Sequence, residues 1–216
     1  TCPDADLRKA LIQKMLEVGQ EKKVQYIEIR TLSRSPELTD AGFVETTPLL
    51  ISEVPLQSEA ANWELLGATH RRNVKLAARK GVRIEQASQW QDMEDFYAQL
   101  SMHYKRLGIP FLGKSFFRHI WNRILEKDKG FLLMARRDKE NIGGLLTLHS
   151  GKTLIGKYSV ARTEARYAHV NASYALFWEA IRRGIASGFA TLNMGITGED
   201  NQGLRDFKLR FGAVEK

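Results

Sequence analysis

The chain has 216 residues, of which 43% are apolar, and it carries a formal net charge of +8. The apolar content excludes an intrinsically disordered chain, and no apolar run approaches the ~18 residues that a membrane-spanning helix needs. Cys2 is the single cysteine, which excludes an internal disulfide and a cysteine-based metal cluster. These features fit a cytoplasmic protein, which is the compartment we expect.

Up to residue 62 the pattern predicts two strands and one helix. Apolar side chains at helical spacing indicate the helix, and Gly19 is a natural end for it. Alternation of apolar and polar side chains indicates the first strand. The predicted elements are a helix over 5–17, a strand over 24–30, a polar loop over 31–45 and a strand over 47–56.

From residue 63 the pattern predicts four helices and five strands. Ser88 and Ser115 are the predicted N-caps of two of the helices. Three consecutive strands joined by polar turns, followed by a crossover helix, predict a mixed sheet with helices on both faces. The predicted helices are 63–80, 91–107, 114–126 and 172–187, and the predicted strands are 82–86, 131–137, 142–149, 153–161 and 189–194.

Four segments, taken in order, resemble the FemAB-like branch of the GNAT acyltransferase superfamily, which contains the peptidoglycan-bridge aminoacyltransferases and their relatives. They are the basic helix leading into a strand at 70–82, LGIPF within 107–117, the helix and glycine of 171–188, and LNMG with GLRDFK within 192–212. The resemblance implies an α/β (α+β) fold, in which a GNAT-like mixed sheet is flanked by helices.

The helix, glycine and strand pattern of residues 11–30 is similar to that of residues 176–195. We therefore predict residues 1–60 to be the C-terminal part of a first GNAT-like domain. Residues 61–81 are then a basic connecting helix, and residues 82–216 are a GNAT-like acyltransferase domain cut short at its C-terminal end. Chance recurrence of this pattern within one α/β domain is the alternative.

Acyl transfer passes through a tetrahedral oxyanion and needs groups that stabilise the developing charge. The resemblance places Phe207 and Lys208 at the active site, with Lys208 stabilising the oxyanion or the leaving group and Phe207 shaping the pocket. Without the resemblance, Lys208 reads as an ordinary surface cation. Gly195 ends a predicted strand, at the edge where open α/β sheets bind ligands.

The last predicted strand departs from the family form. That form carries an acid, sometimes followed by an Arg-Ser pair, whereas this chain has Asn193 at the position of the acid and Ile196-Thr197 after the glycine. No role that rests on the missing acid or arginine is therefore assigned to this chain.

The junction at residues 161–171 lacks the glycines of the turn with which GNAT enzymes hold the pyrophosphate of acetyl-CoA. This favours aminoacyl-tRNA or another large acyl donor over acetyl-CoA. The expected cosubstrate is an acyl donor, either aminoacyl-tRNA or acyl-CoA, and no tightly bound cofactor is expected. Arg162 and Arg166 are candidates to meet phosphates. Asn171 is expected either to cap the next helix or to contact the substrate.

Residues 65–84 contain six cations and no acid. Arg72, Lys75 and Arg79 fall on one face of the predicted helix. They form either a solvated helix face or a surface for an anionic donor or acceptor, such as tRNA or a nucleotide-linked or lipid-linked glycan precursor. Peripheral association with the inner face of the membrane would use the same kind of surface.

Tyr104, next to His103, is a further candidate for contact with the substrate. The general base is left open, and each candidate has a structural or solvent-exposed role as its alternative. These candidates are His103, His149, His169, Glu199 and Asp200.

We thus predict a transferase that moves an acyl or aminoacyl group to an amine or hydroxyl of a cell-envelope precursor, such as a peptidoglycan precursor, or of a polysaccharide. Two alternatives stay open. One is an acetyl-CoA-dependent N-acetyltransferase, and the other is a non-catalytic GNAT-like module that binds RNA or an anionic polymer through its basic helix. Metal-ligand spacing, a P-loop and a dinucleotide-binding fingerprint are absent from the sequence.

Overall fold

The computed structural model of the chain describes residues 4–29, 31, 35–46, 49–167, 169–198 and 200–216. The chain divides into two compact units between residues 48 and 49. The first unit contains helices α1 (Ala5–Glu21) and α2 (Pro36–Asp40). The second unit contains the sheet and the helices that cover it.

The described residues of the second unit form seven strands and six α-helices. The strands are β1 (Leu49–Pro55), β2 (Arg83–Gln86), β3 (Gly130–Arg137), β4 (Glu140–Ser150), β5 (Thr153–Ala161), β6 (Thr191–Gly198) and β7 (Val214–Glu215). The helices are α3 (Glu59–Leu65), α4 (Ala68–Arg79), α5 (Trp90–Arg106), α6 (Lys114–Arg123), α7 (Ala172–Ala186) and α8 (Gln202–Leu209).

The first unit differs from its predicted elements. Helix α1 continues through Gly19 to Glu21, so Gly19 does not end it. The glycine leaves room for Ile27, whose Cδ1 would lie 2.6 Å from a Cβ added there. Residues 24–29 form neither helix nor strand, and Arg30 lies outside the described residues. That residues 1–60 are the C-terminal part of a first GNAT-like domain stays a prediction.

The sheet has the strand order β2-β3-β4-β5-β6-β1-β7, and β5 and β6 are its parallel pair. The other neighbouring strands are antiparallel, which confirms the predicted mixed sheet. Strand β1 pairs with β6 and β7, so it belongs to the second unit. The division of the chain therefore lies before β1, whereas the predicted boundary was at residue 60. Thr47 and Pro48 of the strand predicted over 47–56 lie outside the described residues.

Helices cover both faces of the sheet, as predicted. Successive residues of β3 point to opposite faces, and both sets of side chains are buried against helices. Leu133 and Ala135 are buried in the cluster that contains the apolar side chains of α7. Leu132 and Met134 are buried in the cluster that contains those of α5 and α6. The second unit thus has two apolar cores separated by the sheet.

The helix predicted over 63–80 is two helices, α3 and α4, which are separated at Leu66 and Gly67. Leu66 has an extended backbone, and the Gly67 N–H donates to the carbonyl of Arg210 at 2.8 Å. A Cβ at Gly67 would lie 3.3 Å from Cβ of Arg210. The close approach of the end of α8 therefore ends one helix and begins the next.

Two of the predicted caps are wrong, and β6 is longer than predicted. Helix α5 begins after Gln89, because the carboxylate of Asp92 accepts the N–H groups of Ser88 and Gln89 at 3.0 and 3.4 Å. Helix α6 begins after Gly113 without a side-chain cap, so Ser115 does not cap it. Strand β6 continues to Gly198, because its last residues pair with β1.

His70 fixes α4 to α8 inside the core on the α7 side. Its ring is 2% exposed and packs against the rings of Tyr174, Phe207 and Phe211 with centroid separations of 4.8, 5.3 and 4.7 Å. Its Nε2 donates to the carbonyl of Phe207 at 2.9 Å, because a carbonyl can only accept. Burial lowers the pKa of His70, and the charge of Arg210 acts in the same direction against the hydrogen bond to Phe207.

A methyl group at Gly144 would lie 2.6 Å from Cδ2 of Phe96 and 3.1 Å from the carbonyl oxygen of Leu133. We therefore expect Gly144→Ala to lower the free energy of unfolding by about 1–3 kcal/mol through overpacking. Chemical denaturation measures this difference. The matched control is Gly203→Ala in α8, where a Cβ meets nothing within 4 Å. That variant should unfold at least as late as the parent, and equal losses in both variants would contradict the packing argument.

The depressed pKa of His70 predicts an acid-sensitive fold. Below about pH 6.5 the unfolded chain takes up a proton at His70 that the folded chain resists, so the free energy of unfolding falls as the pH drops. We expect His70→Gln, whose amide can still donate to Phe207, to unfold with less pH dependence between about pH 7.5 and pH 5. Denaturation at both pH values measures this, with the exposed His119→Gln as the control. Parallel curves for the parent and His70→Gln would refute it.

Candidate active site

A cleft opens between β5 and β6. Their parallel ladder consists of three residue pairs and ends at Ile155 and Asn193. Beyond this point β5 stays paired with β4 as far as Ala161, and β6 stays paired with β1 as far as Gly198. The facing edges of the two strands therefore do not hydrogen-bond to each other beyond this point, and their backbone groups need other partners.

A bulge in β5 lies at the start of the cleft. Leu146 pairs with Tyr158 and Thr147 pairs with Gly156, so Lys157 is an extra residue on β5. A bulge of this kind bends a strand and redirects its side chains, and such bulges often lie next to active sites. Here the extra residue lies two positions beyond Ile155, the last residue of β5 that pairs with β6.

A second bulge lies in β6, where Met194 and Gly195 together face Ser52 of β1. Gly195 has a φ of +81°, which a glycine adopts without strain. Its N–H donates to Oδ1 of Asn193 at 2.7 Å. Asn193 replaces the acid of the family form, and its side-chain oxygen fixes the bulge by accepting this hydrogen bond.

Lys208 lies on α8 directly against this bulge. Its side chain is buried, and Nζ donates to the carbonyls of Gly195 and Ile196 at 2.9 and 3.2 Å and to Oγ1 of Thr197 at 2.6 Å. All three ammonium hydrogens thus have acceptors on β6. Burial lowers the pKa of Lys208 to about 8, and the charge of Glu215 opposes this shift. Lys208 is therefore not the surface cation of the alternative interpretation.

Phe207 lies in the aromatic cluster around His70 rather than on the edge of β6. Its ring packs against Tyr174 and Phe177 with centroid separations of 5.3 and 5.7 Å. Tyr174 in turn lines the pocket at the start of α7. Phe207 can therefore influence that pocket through Tyr174, and it orients α8 through its carbonyl.

A pocket of about 320 Å³ lies at the N-terminus of α7. Arg162, Asn171 and Ser173 are among its lining residues. The first N–H groups of a helix have no partner within the helix, so this end of α7 is suited to an anion. Asn171 has a left-handed backbone, and its side chain makes no capping hydrogen bond to α7. Its predicted capping role is therefore not seen, and its side chain stays a candidate for contact with a ligand.

Arg162 and Arg166 lie on the two sides of this junction with their cations over the ring of Tyr167, each 4.7 Å from its centroid. Arg162 pairs with Glu164 at 3.0 Å, and Arg166 pairs with Glu140 at 3.2 Å. Phosphate binding by either arginine would have to compete with these carboxylates. Arg162 thus lines the pocket, both arginines have acids already beside them, and their contact with phosphates stays a prediction.

The predicted basic face is present on α4. Arg72, Lys75 and Arg79 are exposed, and with Arg71 they line one shallow groove. Arg71 is partly committed, because its guanidinium donates to the backbone carbonyls of Trp63 and Glu64. At the end of the helix, Nζ of Lys80 donates to the carbonyl of His169 at 2.8 Å, which ties α4 to the loop before α7.

Tyr104 is not brought together with the residues at the end of α7. Its ring stacks on Phe111 with a centroid separation of 4.2 Å, on the face of the sheet covered by α5 and α6. His103 packs edge-on against Tyr104. This pair reaches the sheet through Phe111, which contacts Tyr158 of β5.

The structure assigns no general base among the remaining candidates. The ring of His149 contacts the carbonyl of Asp128 at the turn before β3. His169 and Asp200 are exposed, and Glu199 lies outside the described residues. Among the residues that the structure describes there is no cluster that could hold a metal ion, and none of their helices is long and apolar enough to cross a bilayer.

Thr197 is a site residue that the sequence argument did not single out. It is buried, and its hydroxyl accepts from the Lys208 ammonium. The sequence did contain a signal for Thr197. This residue stands where the family form has the serine of its Arg-Ser pair, and threonine retains the hydroxyl.

The family model described as an acetyltransferase (GNAT) domain matches residues 68–209. Curated proteins include no significant match to the sequence.

Solved structures share the fold at low identity. FemX superimposes with a TM-score of 0.71 and 14% identity over 96% of this chain and 73% of that one. The C-terminal domain of a proposed lysylphosphatidylglycerol synthetase from Agrobacterium fabrum gives a TM-score of 0.67 and 16% identity over 99% and 72% of the two chains. L-PGS from Bacillus licheniformis gives 0.66 and 13% over 98% and 72%. These TM-scores show a common fold, and the family match over residues 68–209 shows that the chain belongs to the GNAT-type acetyltransferase domain family.

Proposed function

We propose that this protein transfers an acyl or aminoacyl group to an amine or hydroxyl of a cell-envelope precursor, in the cleft between β5 and β6. Membership of the GNAT family supports acyl transfer. The observation that carries the proposal is the buried Lys208 ammonium, which lies on the β6 edge of the cleft and donates to Thr197. A buried cation at the opening of a parallel ladder suits a reaction that develops negative charge.

In the proposed reaction, the acceptor nitrogen or oxygen attacks the carbonyl carbon of the donor. The carbonyl π electrons move to oxygen and form a tetrahedral oxyanion. Collapse of this intermediate breaks the bond to the leaving group, which is a thiolate for an acyl-CoA or a ribose oxygen for an aminoacyl-tRNA. The acceptor loses one proton to solvent, and the leaving group takes one up.

Lys208 and Thr197 would act together on the oxyanion. The Lys208 hydrogens are all donated to β6, so a direct contact would require one of these bonds to be exchanged. The Thr197 hydroxyl accepts from Lys208 and still has its own hydrogen to donate. A hydroxyl that is polarised by a neighbouring cation is a stronger donor, so the charge of Lys208 would reach the oxyanion through Thr197.

The donor would place its phosphate groups at the N-terminus of α7. The pocket there contains first-turn amides and the Arg162 side chain, which both suit an anion. Glu164 accepts a hydrogen bond from Arg162, and residues 161–171 lack the glycines of the acetyl-CoA turn, so a compact pyrophosphate would meet a carboxylate and additional side chains there. These features support an aminoacyl-tRNA or another large donor over acetyl-CoA.

The acceptor class is proposed from fold similarity and charge. One relative of known structure is a proposed lysylphosphatidylglycerol synthetase, an enzyme that joins an amino acid to a lipid. The exposed cations of α4 suit an anionic partner, such as tRNA or a nucleotide-linked or lipid-linked glycan precursor. We place the reaction in the cytoplasm, where such precursors and tRNA occur.

Two alternatives each have one observation in their favour. The family model describes an acetyltransferase domain, which favours an acetyl-CoA-dependent N-acetyltransferase. The groove of α4 collects four cations on one surface, which favours a module that binds RNA or another anionic polymer without catalysis.

The donor is identified by the ligand that stabilises the folded chain. We expect an aminoacyl-tRNA mixture to raise the melting temperature, because a ligand of the native state alone shifts unfolding by mass action. We expect acetyl-CoA and CoA to leave it unchanged. Differential scanning fluorimetry of the chain measures both, with deacylated tRNA as the control for charge alone. A shift with CoA and none with aminoacyl-tRNA would establish the acetyltransferase alternative.

The role of Lys208 is tested by Lys208→Met, which keeps the length of the side chain and removes the charge. We expect the transfer rate to fall at least ~100-fold while donor binding is retained. For the parent, the rate should fall as the pH rises through about 8, where Lys208 loses its proton.

The matched control is Lys152→Met in the exposed turn between β4 and β5. It should keep both the rate and the pH profile. A Lys208→Met variant that turns over at the rate of the parent would exclude Lys208 from the reaction and favour the binding module.

A further inference from the structure

The connection between α5 and α6 exposes an unusual amount of apolar surface. We call residues 102–118 the α5–α6 tip. Five large apolar side chains of the tip are between 40% and 56% exposed. They are Met102, Leu107, Ile109, Leu112 and Phe116. An apolar cluster of this kind on a protein surface usually marks an interaction site.

Backbone hydrogen bonds order the start of this connection. The N–H of Ile109 donates to the carbonyl of Tyr104, and the N–H of Gly108 donates to the carbonyl of Lys105, both at 3.1 Å. Gly108 has a φ of +68°, so α5 ends in a Schellman motif, and Ile109 directly after it is half exposed. Phe111 anchors the tip from below by stacking on Tyr104. The apolar surface is thus built into an ordered turn.

The tip is surrounded by cations. Residues 96–125 contain five exposed Lys or Arg side chains and no Asp or Glu. Two acids lie close to these cations: Glu94 of α5 pairs with Lys114 at 2.6 Å and is also near Arg118, and Glu164 lies near Arg106. The five cations are Lys105, Arg106, Lys114, Arg118 and Arg123.

Two of these cations are held in place by uncharged partners. Arg118 lies over the ring of Trp90 at 4.1 Å, and Arg106 donates to Oγ1 of Thr163 at 3.0 Å. Their charge is therefore not cancelled by these contacts, and the border of the tip stays positive.

We propose that the α5–α6 tip inserts into the interfacial region of an anionic lipid bilayer. Interfacial binding needs exposed apolar side chains to enter the acyl boundary and cations to meet the headgroups, and residues 102–123 carry both. Charge complementarity selects an anionic bilayer over a neutral one. The groove of α4 lacks the first requirement, because its uncharged lining residues are Ala68 and Ala78.

The position of the tip gives this binding a consequence for the cleft. Phe111 contacts Tyr158 with a ring separation of 6.0 Å, and Tyr158 follows the bulge at Lys157 on β5. One layer of aromatic side chains therefore separates the bound surface from one wall of the cleft. The proposal that the tip binds membranes does not depend on the proposed acyl transfer. The idea that this binding brings the cleft to a lipid-linked acceptor does rest on the proposed acyl transfer.

Sedimentation with vesicles tests the proposal on the full chain. We expect binding to vesicles of phosphatidylglycerol mixed with phosphatidylcholine and little binding to phosphatidylcholine alone. Replacing two exposed side chains in Ile109→Ser/Leu112→Ser should weaken binding at least ~10-fold, because apolar burial is lost while the core is untouched. Circular dichroism and thermal melting check that the variant folds.

The apolar control is Leu11→Ser/Val44→Ser, which removes two exposed side chains of the first unit and should keep the affinity of the parent. The charge variant Lys105→Gln/Arg123→Gln should weaken binding to anionic vesicles, whereas Arg72→Gln/Arg79→Gln on α4 should not.

Three results would overturn the proposal. The first is a parent that ignores anionic vesicles, and the second is binding that is lost with the α4 variant and kept with the tip variant. The third is a parent dimer that becomes monomeric in light scattering when the tip is changed, because the tip would then be a protein interface.

Discussion

The cleft exists because β6 pairs with its two neighbouring strands, β1 and β5, over different lengths. Strand β1 pairs with β6 to its end, whereas β5 leaves it after three residue pairs. A ladder that opens in this way leaves backbone carbonyls that need donors. Lys208 provides three hydrogens at this place, and its bonds to Gly195 and Ile196 fix α8 against the open edge. One buried ammonium thus provides donors for two carbonyls where the ladder opens, and it positions the last helix.

The position of α8 is transmitted to α4 and from there to the start of α7. The Phe207 carbonyl receives the hydrogen bond from His70, and the Arg210 carbonyl receives that of Gly67. At its other end, α4 reaches the loop before α7 through Lys80 and His169. Helix α4 therefore connects the cleft with the pocket at the α7 terminus, while its cations face outward.

The sequence pattern predicted well those elements whose bounds depend on residues close together in the chain. The strands β3, β4 and β5 lie within two residues of their predicted bounds, because alternation and polar turns specify hairpins directly. The break at Gly67 and the continuation of β6 beyond Gly195 were missed, since Arg210 and β1 impose them from distant parts of the chain. Lys208 was found through the resemblance. Thr197 was missed because a threonine in a strand is unremarkable until its partner is known.

Strand β1 also determines the order in which the sheet can assemble. Glu53 of β1 and Asn193 of β6 are neighbours in space and 140 residues apart in sequence, so closing this contact carries a large entropic cost. The hairpins of β3, β4 and β5 need no such closure and can form first. On the ribosome, β1 emerges before both strands that it separates, and it must wait unpaired until they are made. Residues 49–55 are therefore the segment of this sheet that is exposed longest to chaperones and to aggregation.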